Sequence, residues 1–434
     1  VFLHIIKIVS LYIICIVYEY IQMTLFEELK FRGFVNQCTD EIALIKAIKK
    51  KSINLYIGFD CTAKSLHVGS LIQIMIMRLF QKYGHTPIVL IGKGTTRIGD
   101  PSGKDATRKM LTEKEIDQNA NNLKKVFNKF LTFKSNNNKA IFRDNSKWLN
   151  KLNYVNFLRD FGKHFTINKM LSFDSVKLRL DREQSLSFVE FNYMIFQAYD
   201  FYELFIRDKC ILQIGGSDQW GNIVNGVELI RRTKSKESFG LTTPLLTNAN
   251  GEKMGKTADG AVWLDEVLLS PYDYWQFWRN ADDRDVLKFI KLFTDIDINK
   301  IKEFEKSKSI DINKLKSMLA DEATTLLHGK ENAKKAKEAA NKVFSDKSIS
   351  DDLPTLTLKH SDFNKKIFIY ELIFKVGFSK SKSESRKLIR GNGVKKNRIL
   401  IEDEMTVILE EEIIKKKELL ISVGKKKHFR IILE

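Results

Sequence analysis

Residues 54–92 read NLYIGFDCTAKSLHVGSLIQIMIMRLFQKYGHTPIVLIG. NLYIGFD and TPIVLIGKG are apolar runs of strand length, bounded by glycines and small polar residues. Between them, LIQIMIMRLFQKYGH reads as a mostly buried helix ending at Gly84. Strand, helix and strand with short connections make a βαβ unit, which implies a parallel sheet and a right-handed crossover. Ligands of such sheets sit beyond the carboxyl ends of the strands, and GFDCTA and GKGTTRIGDPSGK both fall there.

Outward from this unit, residues from about 110 to 180 read as helical and strongly basic, with a polar interruption at KSNNNKA. SLSFVEFNYMIFQAYDFYELF is apolar all round and is expected to be a largely buried helix. CILQIGGSDQ is a further strand that ends in Gly215, Gly216, Ser217 and Asp218. Residues 248–260, NANGEKMGKTADG, lack apolar periodicity and read as a mobile loop. From Pro271 to about Phe344 the pattern is helical, with Trp275, Phe277 and Trp278 as core candidates. A linker is expected at 351–360, around Pro354, followed by short helical and strand-like runs over 361–434.

The 434 residues are 43% hydrophobic and 29% charged, values of a globular protein with two to four domains. The formal charge of +19 favours a polyanionic partner such as nucleic acid; drift toward Lys, Asn and Ile is the alternative source. The four cysteines form no CxxC and no His stands at metal-ligand spacing from them, which argues against a disulfide framework or structural zinc and fits a reducing compartment. The first 22 residues are almost uncharged and apolar. We read them as an over-extended frame with Met23 as the start; a membrane anchor or targeting segment is the other reading.

Five short constellations carry chemistry, and each has a plainer reading. His67 and Gly69 of HVGS open a helix, where free N–H groups and a close glycine suit a phosphate; a cap is the alternative. Lys253 and Lys256 of KMGKT flank a glycine on a loop that can neutralise a departing pyrophosphate, or is merely solvated. In GDPSGK, Asp100 suits an ammonium and Lys104 a phosphate, against a simple turn. Tyr193, Gln197 and Asp200, four and three residues apart, share one face of the apolar helix. Buried there, they need partners, either one another or a polar ligand. Asp218 and Gln219 follow the Gly215–Gly216 pair, where a carboxylate suits a ribose diol.

Their order along the chain resembles the bacterial-type tyrosyl-tRNA synthetases: GFDCTAKSLHVGS, IGDPSGK, NYMIFQAYD, LQIGGSDQWGN and KMGKT follow one another as in that family. HVGS is similar to its HIGH signature and KMGKT to its KMSKS signature. The resemblance implies an α/β protein: a Rossmann-like parallel-sheet catalytic domain over 23–247, the signature loop 248–260, a helical anticodon-side domain over 261–350, and a small α+β RNA-binding domain over 361–434. It implies that Tyr56 and Asp200 bind the phenolic hydroxyl of tyrosine, that Asp100, Tyr193 and Gln197 hold its ammonium, and that Gln219 polarises the region of its carboxylate. It assigns Gly58, Asp60, Thr62, His67, Gly69, Ser70, Gly216, Asp218 and Lys256 to ATP, and gives Lys253, Lys256, Thr257, Lys104 and Arg108 to the leaving pyrophosphate. ATP is then a substrate and Mg2+ travels with it, with no fixed metal. The partners are tRNA(Tyr) and a second copy of the chain, with no membrane partner, in a bacterial cytoplasm or an organelle. The sequence departs from the family at Ser70, where the signature ends in His, and at Cys61, where the turn often has Pro.

Three rivals stand beside this reading. A tryptophanyl relative is disfavoured by Tyr56 with Asp200, which suit a phenol. An unrelated nucleotidyltransferase is disfavoured by KMGKT and GGSDQ. A synthetase-like RNA-binding protein without catalysis is disfavoured by the retained Asp100, Asp218, Lys253 and Lys256.

Overall fold

A computed structural model describes residues 23–101, 111–134, 138–251, 253–257, 260–307, 310–344, 353–397, 399–424 and 427–434. The expectations for residues 1–22, Lys104 and Arg108 lie outside the described residues. Contacts group the chain into two compact units: residues up to Lys64 with Ile72–Leu245, and Ser65–Leu71 with Leu246–Glu434.

The first unit is built on a six-stranded sheet: β1 (Gln37–Cys38), β2 (Asn54–Asp60), β3 (Thr86–Gly92), β4 (Ile141–Asp144), β5 (Cys210–Gly216) and β6 (Phe239–Thr243). Its order is β1-β6-β5-β2-β3-β4. Five strands run parallel, and β1 pairs antiparallel with β6 at the edge. β3 carries seven consecutive buried residues, as a strand covered on both faces must. The predicted βαβ unit is present: helix α1 (Leu71–Lys82) links β2 to the parallel β3. From β2 the chain winds outward through β3 to β4, then returns to β5 on the other side of β2. The order reverses between β2 and β5, and this switch point opens a crevice at the carboxyl ends of both strands.

β4 was not expected from sequence. IFRD is only four residues long and sits in a basic, largely helical stretch, so it lacks a readable period. Its pairing with β3 nonetheless delivers the helix α2 (Ser146–Leu149) to the crevice. The apolar helix, α3 (Phe188–Asp208), has a capping box of Ser187 and Glu190 and buries Tyr193, Met194, Ala198, Asp200 and Phe201. Tyr56, Trp148, Met194, Phe201 and Leu204 belong to one core cluster, so the crevice floor is continuous with the core.

In the second unit, KMGKT contributes a two-residue strand. β7 (Lys256–Thr257) pairs antiparallel with β8 (Gly260–Ala261), and Met254 N donates to Leu246 O at 2.8 Å. Helices over 271–344 pack around Tyr274, Trp275, Trp278, Phe289 and Phe293, all buried. The C-terminal part holds a five-stranded sheet, with β9 (Thr355–Leu358) at one edge and the chain's last strand, β10 (Lys427–Leu433), beside it. β9 lies inside the segment read as a linker; it pairs in parallel with β10 because TLTL alternates inward and outward as an edge strand does. Among the described residues no helix is long and apolar enough to cross a membrane.

Candidate active site

Asp200 anchors one polar cluster of the site. It lies in the middle of α3 and is 2% exposed. Asn145 Nδ2 donates to its Oδ2 at 2.9 Å, and Trp148 Nε1 donates to its Oδ1 at 2.7 Å. Burial pushes the carboxyl up to about 8, against the opposing pull of those two donors. Tyr56, from the middle of β2, is 1% exposed, and its hydroxyl has no hydrogen-bond partner. Burial, followed by the charge of Asp200, holds that phenol well above its usual range. A buried hydroxyl without a partner beside a buried carboxylate is costly unless a polar ligand group completes it.

Two further acids are also hydrogen-bonded. Tyr193 donates its hydroxyl to Asp60 Oδ2 at 3.0 Å, and Thr95 Oγ1 donates to Asp60 Oδ1 at 2.7 Å. Tyr193 therefore presents only an oxygen acceptor to a ligand, which suits an ammonium. Gln219 Nε2 donates to Asp100 Oδ2 at 2.9 Å. Asn222 Nδ2 donates to Gln197 Oε1 at 3.0 Å and to Gln219 Oε1 at 3.1 Å. Asp200, Asn145, Thr95, Asp60 and Tyr193 thus form one hydrogen-bonded group, which includes Asp60, given by the resemblance to ATP, and Asp100, Gln219, Asn222 and Gln197 form a second.

Among the other residues assigned to ATP, Gly58 lies within β2 and Thr62 is exposed just beyond it. Asp218 is exposed in the short helical turn Ser217–Gln219 after β5. A side chain at Gly216 would meet Asp218 Oδ1 at 2.6 Å, so the glycine keeps the backbone clear there.

The HVGS signature lies in the second unit and packs on KMGKT. His67 Nδ1 accepts from Gly69 N at 3.0 Å, capping the turn Val68–Ser70. Its backbone bridges to Trp263, and Val68 N donates to Val262 O at 2.8 Å. A Cβ at Gly69 would lie 2.8 Å from His67 Cε1 and from Met254 O; one at Gly255 would lie 2.7 Å from His67 Nδ1. Only glycines allow the two signatures to touch. Ser70 N donates to His67 O at 2.8 Å. Lys253 is exposed, and the backbone of Lys256 and Thr257 forms β7.

The family model for tRNA synthetases class I (W and Y) matches residues 48–345. A tyrosine–tRNA ligase of Pelagibacter ubique is 58% identical over 407 residues, 94% of this chain and 98% of that protein. One of Rickettsia typhi is 54% identical over 409 residues, 94% of this chain and 100% of that protein. A C-terminally truncated mitochondrial tyrosyl-tRNA synthetase of Aspergillus nidulans matches in structure with a TM-score of 0.67 at 28% identity, over 76% of this chain and 96% of that one. The chain belongs to the class I tyrosyl-tRNA synthetases.

A tyrosyl-tRNA synthetase is an aminoacyl-tRNA ligase with ATP as a substrate. In this synthetase the residues expected in the site are hydrogen-bonded by others that the motifs do not include: Thr95, Asn145, Trp148 and Asn222. Asn222 was within reach, lying at the third position after Gln219 on the following helix (Trp220–Lys234). Asn145 and Trp148 carried no signal, since they depend on the unexpected β4. The departure at Cys61 is compensated in the backbone. Cys61 N donates to Thr96 Oγ1 at 2.7 Å, and Asn119 Nδ2 donates to Cys61 O at 2.9 Å. Cys61 is buried, and burial pushes its thiol up to about 12, away from the thiolate form.

Proposed function

We propose that this tyrosine–tRNA ligase selects tyrosine by its phenol at Tyr56 and Asp200, condenses it with ATP to tyrosyl-adenylate and pyrophosphate, and then transfers the tyrosyl group to the 3′ end of tRNA(Tyr). The observation that carries the amino-acid choice is the buried Tyr56 hydroxyl without a partner, beside an Asp200 whose two oxygens are already oriented. A phenol hydroxyl completes this pair, whereas a phenylalanine ring leaves both groups unmatched. Strong rejection of phenylalanine for want of that hydroxyl is an established property of tyrosyl-tRNA synthetases.

Asp100, Tyr193 and Gln197 receive the ammonium, and Gln219 turns its second N–H toward the carboxylate. The carboxylate oxygen attacks the α-phosphate and pyrophosphate leaves. No general base is needed, because the attacking group is already ionised; alignment and positive charge supply the catalysis. His67, Lys253, Lys256 and Thr257 stabilise charge on the phosphates, with Lys104 and Arg108 adding to it. Asp218 binds the ribose and Gly216 flanks the adenosine; Gly58, Asp60, Thr62, Gly69 and Ser70 complete the ATP contacts. Mg2+ enters with ATP.

The C-terminal domain contacts the tRNA backbone. The helix Lys382–Arg390 and the strand Val394–Lys396 carry its basic cluster. Lys382, Arg390 and Lys396 pair with Glu371, Glu404 and Glu412, so the exposed Lys380, Lys387 and Lys395 are the stronger phosphate donors. The chain functions as a homodimer. Val155, Ile167 and Phe188 of the first unit are 72%, 58% and 68% exposed and are candidates for its contact surface. The relatives from Pelagibacter and Rickettsia favour a bacterial cytoplasm.

ATP–pyrophosphate exchange with purified protein tests the reading. Exchange is expected with tyrosine and not with tryptophan or phenylalanine. Exchange driven by tryptophan, or by no amino acid, would overturn it.

A further inference from the structure

Asp285 stands at the N-cap position of the helix Val286–Phe293, yet its side chain makes no capping bond to that helix. An aspartate at such a position ordinarily accepts from the first-turn N–H groups. Here the carboxylate is 4% exposed and turns to the signature segment: its Oδ2 accepts from Ala249 N at 2.6 Å, and its Oδ1 accepts from Lys288 Nζ at 3.0 Å. Lys288 Nζ also donates to Thr247 O at 2.7 Å, and Arg284 Nη2 donates to Asn250 Oδ1 at 3.0 Å. Side chains from Arg284 to Lys288 thus hold Thr247, Ala249 and Asn250. Thr247 in turn forms an antiparallel bridge with Lys253, Gly251 N donates to Asn248 O at 2.9 Å across the turn between them, and Met254 N donates to Leu246 O at 2.8 Å. The stretch that Asp285 grips therefore lies opposite the arm that carries Lys253.

We propose that Asp285, together with Lys288, is a positioning residue for adenylation: it ties the signature segment to the helices over 271–344 and so fixes the backbone from which Lys253 reaches the departing pyrophosphate. The inference rests on the proposed role of Lys253. That side chain is exposed, and its ammonium is a point charge on a flexible stem. Such a charge lowers a barrier only where negative charge develops, and a backbone ordered in advance leaves less freedom to lose at that moment. The bridge couples the two arms, so a displacement of Thr247 carries Lys253 with it. A role confined to helix stability would put the carboxylate on the first-turn N–H groups, where it is not. A buried carboxylate needs donors, and those of Asp285 are the signature segment and the lysine that also binds it.

The test is a double-variant cycle of Asp285→Asn and Lys253→Ala in ATP–pyrophosphate exchange. Asparagine keeps the volume but has one acceptor oxygen, so either the Ala249 N–H or the Lys288 ammonium then faces an NH2 donor. Asp285→Asn is expected to lower kcat about ten-fold, with tyrosine KM within about two-fold of wild type. Lys253→Ala is expected to lower kcat about a hundred-fold. The double variant should fall no more than about two-fold below Lys253→Ala, because the anchor then has no ammonium left to place. Losses that multiply in the double variant mark Asp285 as structural and overturn the proposal, as does an undiminished kcat in Asp285→Asn. If Asp285→Asn does not fold, Lys288→Gln takes its place, since that side chain is 42% exposed. Its own loss should be about three-fold and should vanish in the Lys253→Ala background; multiplying losses or an unchanged rate overturn the proposal. An undiminished kcat in Lys253→Ala defeats the role of that lysine itself, which distinguishes the two failures.

Discussion

Tyr193 donates its single hydroxyl proton to Asp60 Oδ2 at 3.0 Å, and this decides what the phenol oxygen can offer a substrate. With its proton committed, the oxygen only accepts, and donation to a carboxylate makes it a better acceptor. It suits the ammonium of an amino acid and would repel a carboxylate placed there. Tyr193→Phe removes this acceptor and also one donor from Asp60. A hydrogen bond to a charged group contributes about 1.5–3 kcal/mol, so tyrosine KM should rise by roughly ten-fold or more, with ATP KM changing far less. Equal losses in the two KM values would show that Asp60 serves mainly the nucleotide.

Tyr56→Phe should separate stability from recognition. The hydroxyl it deletes is buried and unpartnered in the free protein, so its removal relieves a desolvation cost. The free enzyme is expected to gain up to about 1 kcal/mol, read as a rise in Tm. Tyrosine binding should weaken, and phenylalanine should lose much of its disadvantage, by about ten-fold in relative kcat/KM. A destabilised variant with unchanged preference would mean that the hydroxyl packs and does not select.

What was legible in the sequence follows physical range. The βαβ unit declared itself because strand and helix periods alternate over long apolar runs, and Tyr193, Gln197 and Asp200 because helical spacing aligns them. The surroundings of Asp200 were half legible. Asp200 has a pattern, while its donors Asn145 and Trp148 arrive from a four-residue strand whose only support is its register with β3. The contact of His67 with Gly255 joins residues far apart along the chain, and no local period encodes such a pairing. β9 was hidden by neighbouring Ser and Asp residues that read as linker, although TLTL alone has the two-residue period of a strand.

Asp200 gives the free enzyme a distinct pH response. Its folded pKa is raised from 3.8 to about 8, so the folded state binds a proton that the unfolded chain has already released across that interval. Stability from this group is present below about pH 4 and is lost as pH rises toward 8 and through it. The Tm of wild type without tyrosine should therefore fall between pH 6 and 9 more steeply than that of Asp200→Asn, which cannot ionise. Parallel slopes for the two proteins would mean that Asp200 is already ionised at pH 6. Saturating tyrosine should reduce the wild-type slope, because the phenol donor favours the ionised form.

Gly255→Ala probes the meeting of the two signatures. Gly255 has φ of +123°, a region that side chains rarely occupy, and a Cβ there would stand 2.7 Å from His67 Nδ1. Backbone strain of this kind costs on the order of 1–3 kcal/mol, and the methyl must also push the His67 ring off the Gly69 N–H it accepts from. Both effects fall on groups assigned to the ATP phosphates and none on the tyrosine network. Pyrophosphate exchange should drop by about a hundred-fold in kcat, while the equilibrium affinity for tyrosine alone stays within about two-fold. Lys256→Ala, which removes a charge without strain, should show the same division between adenylation and tyrosine binding. If either variant lost tyrosine affinity in step with rate, the division of labour between these signatures and the tyrosine pocket would be wrong.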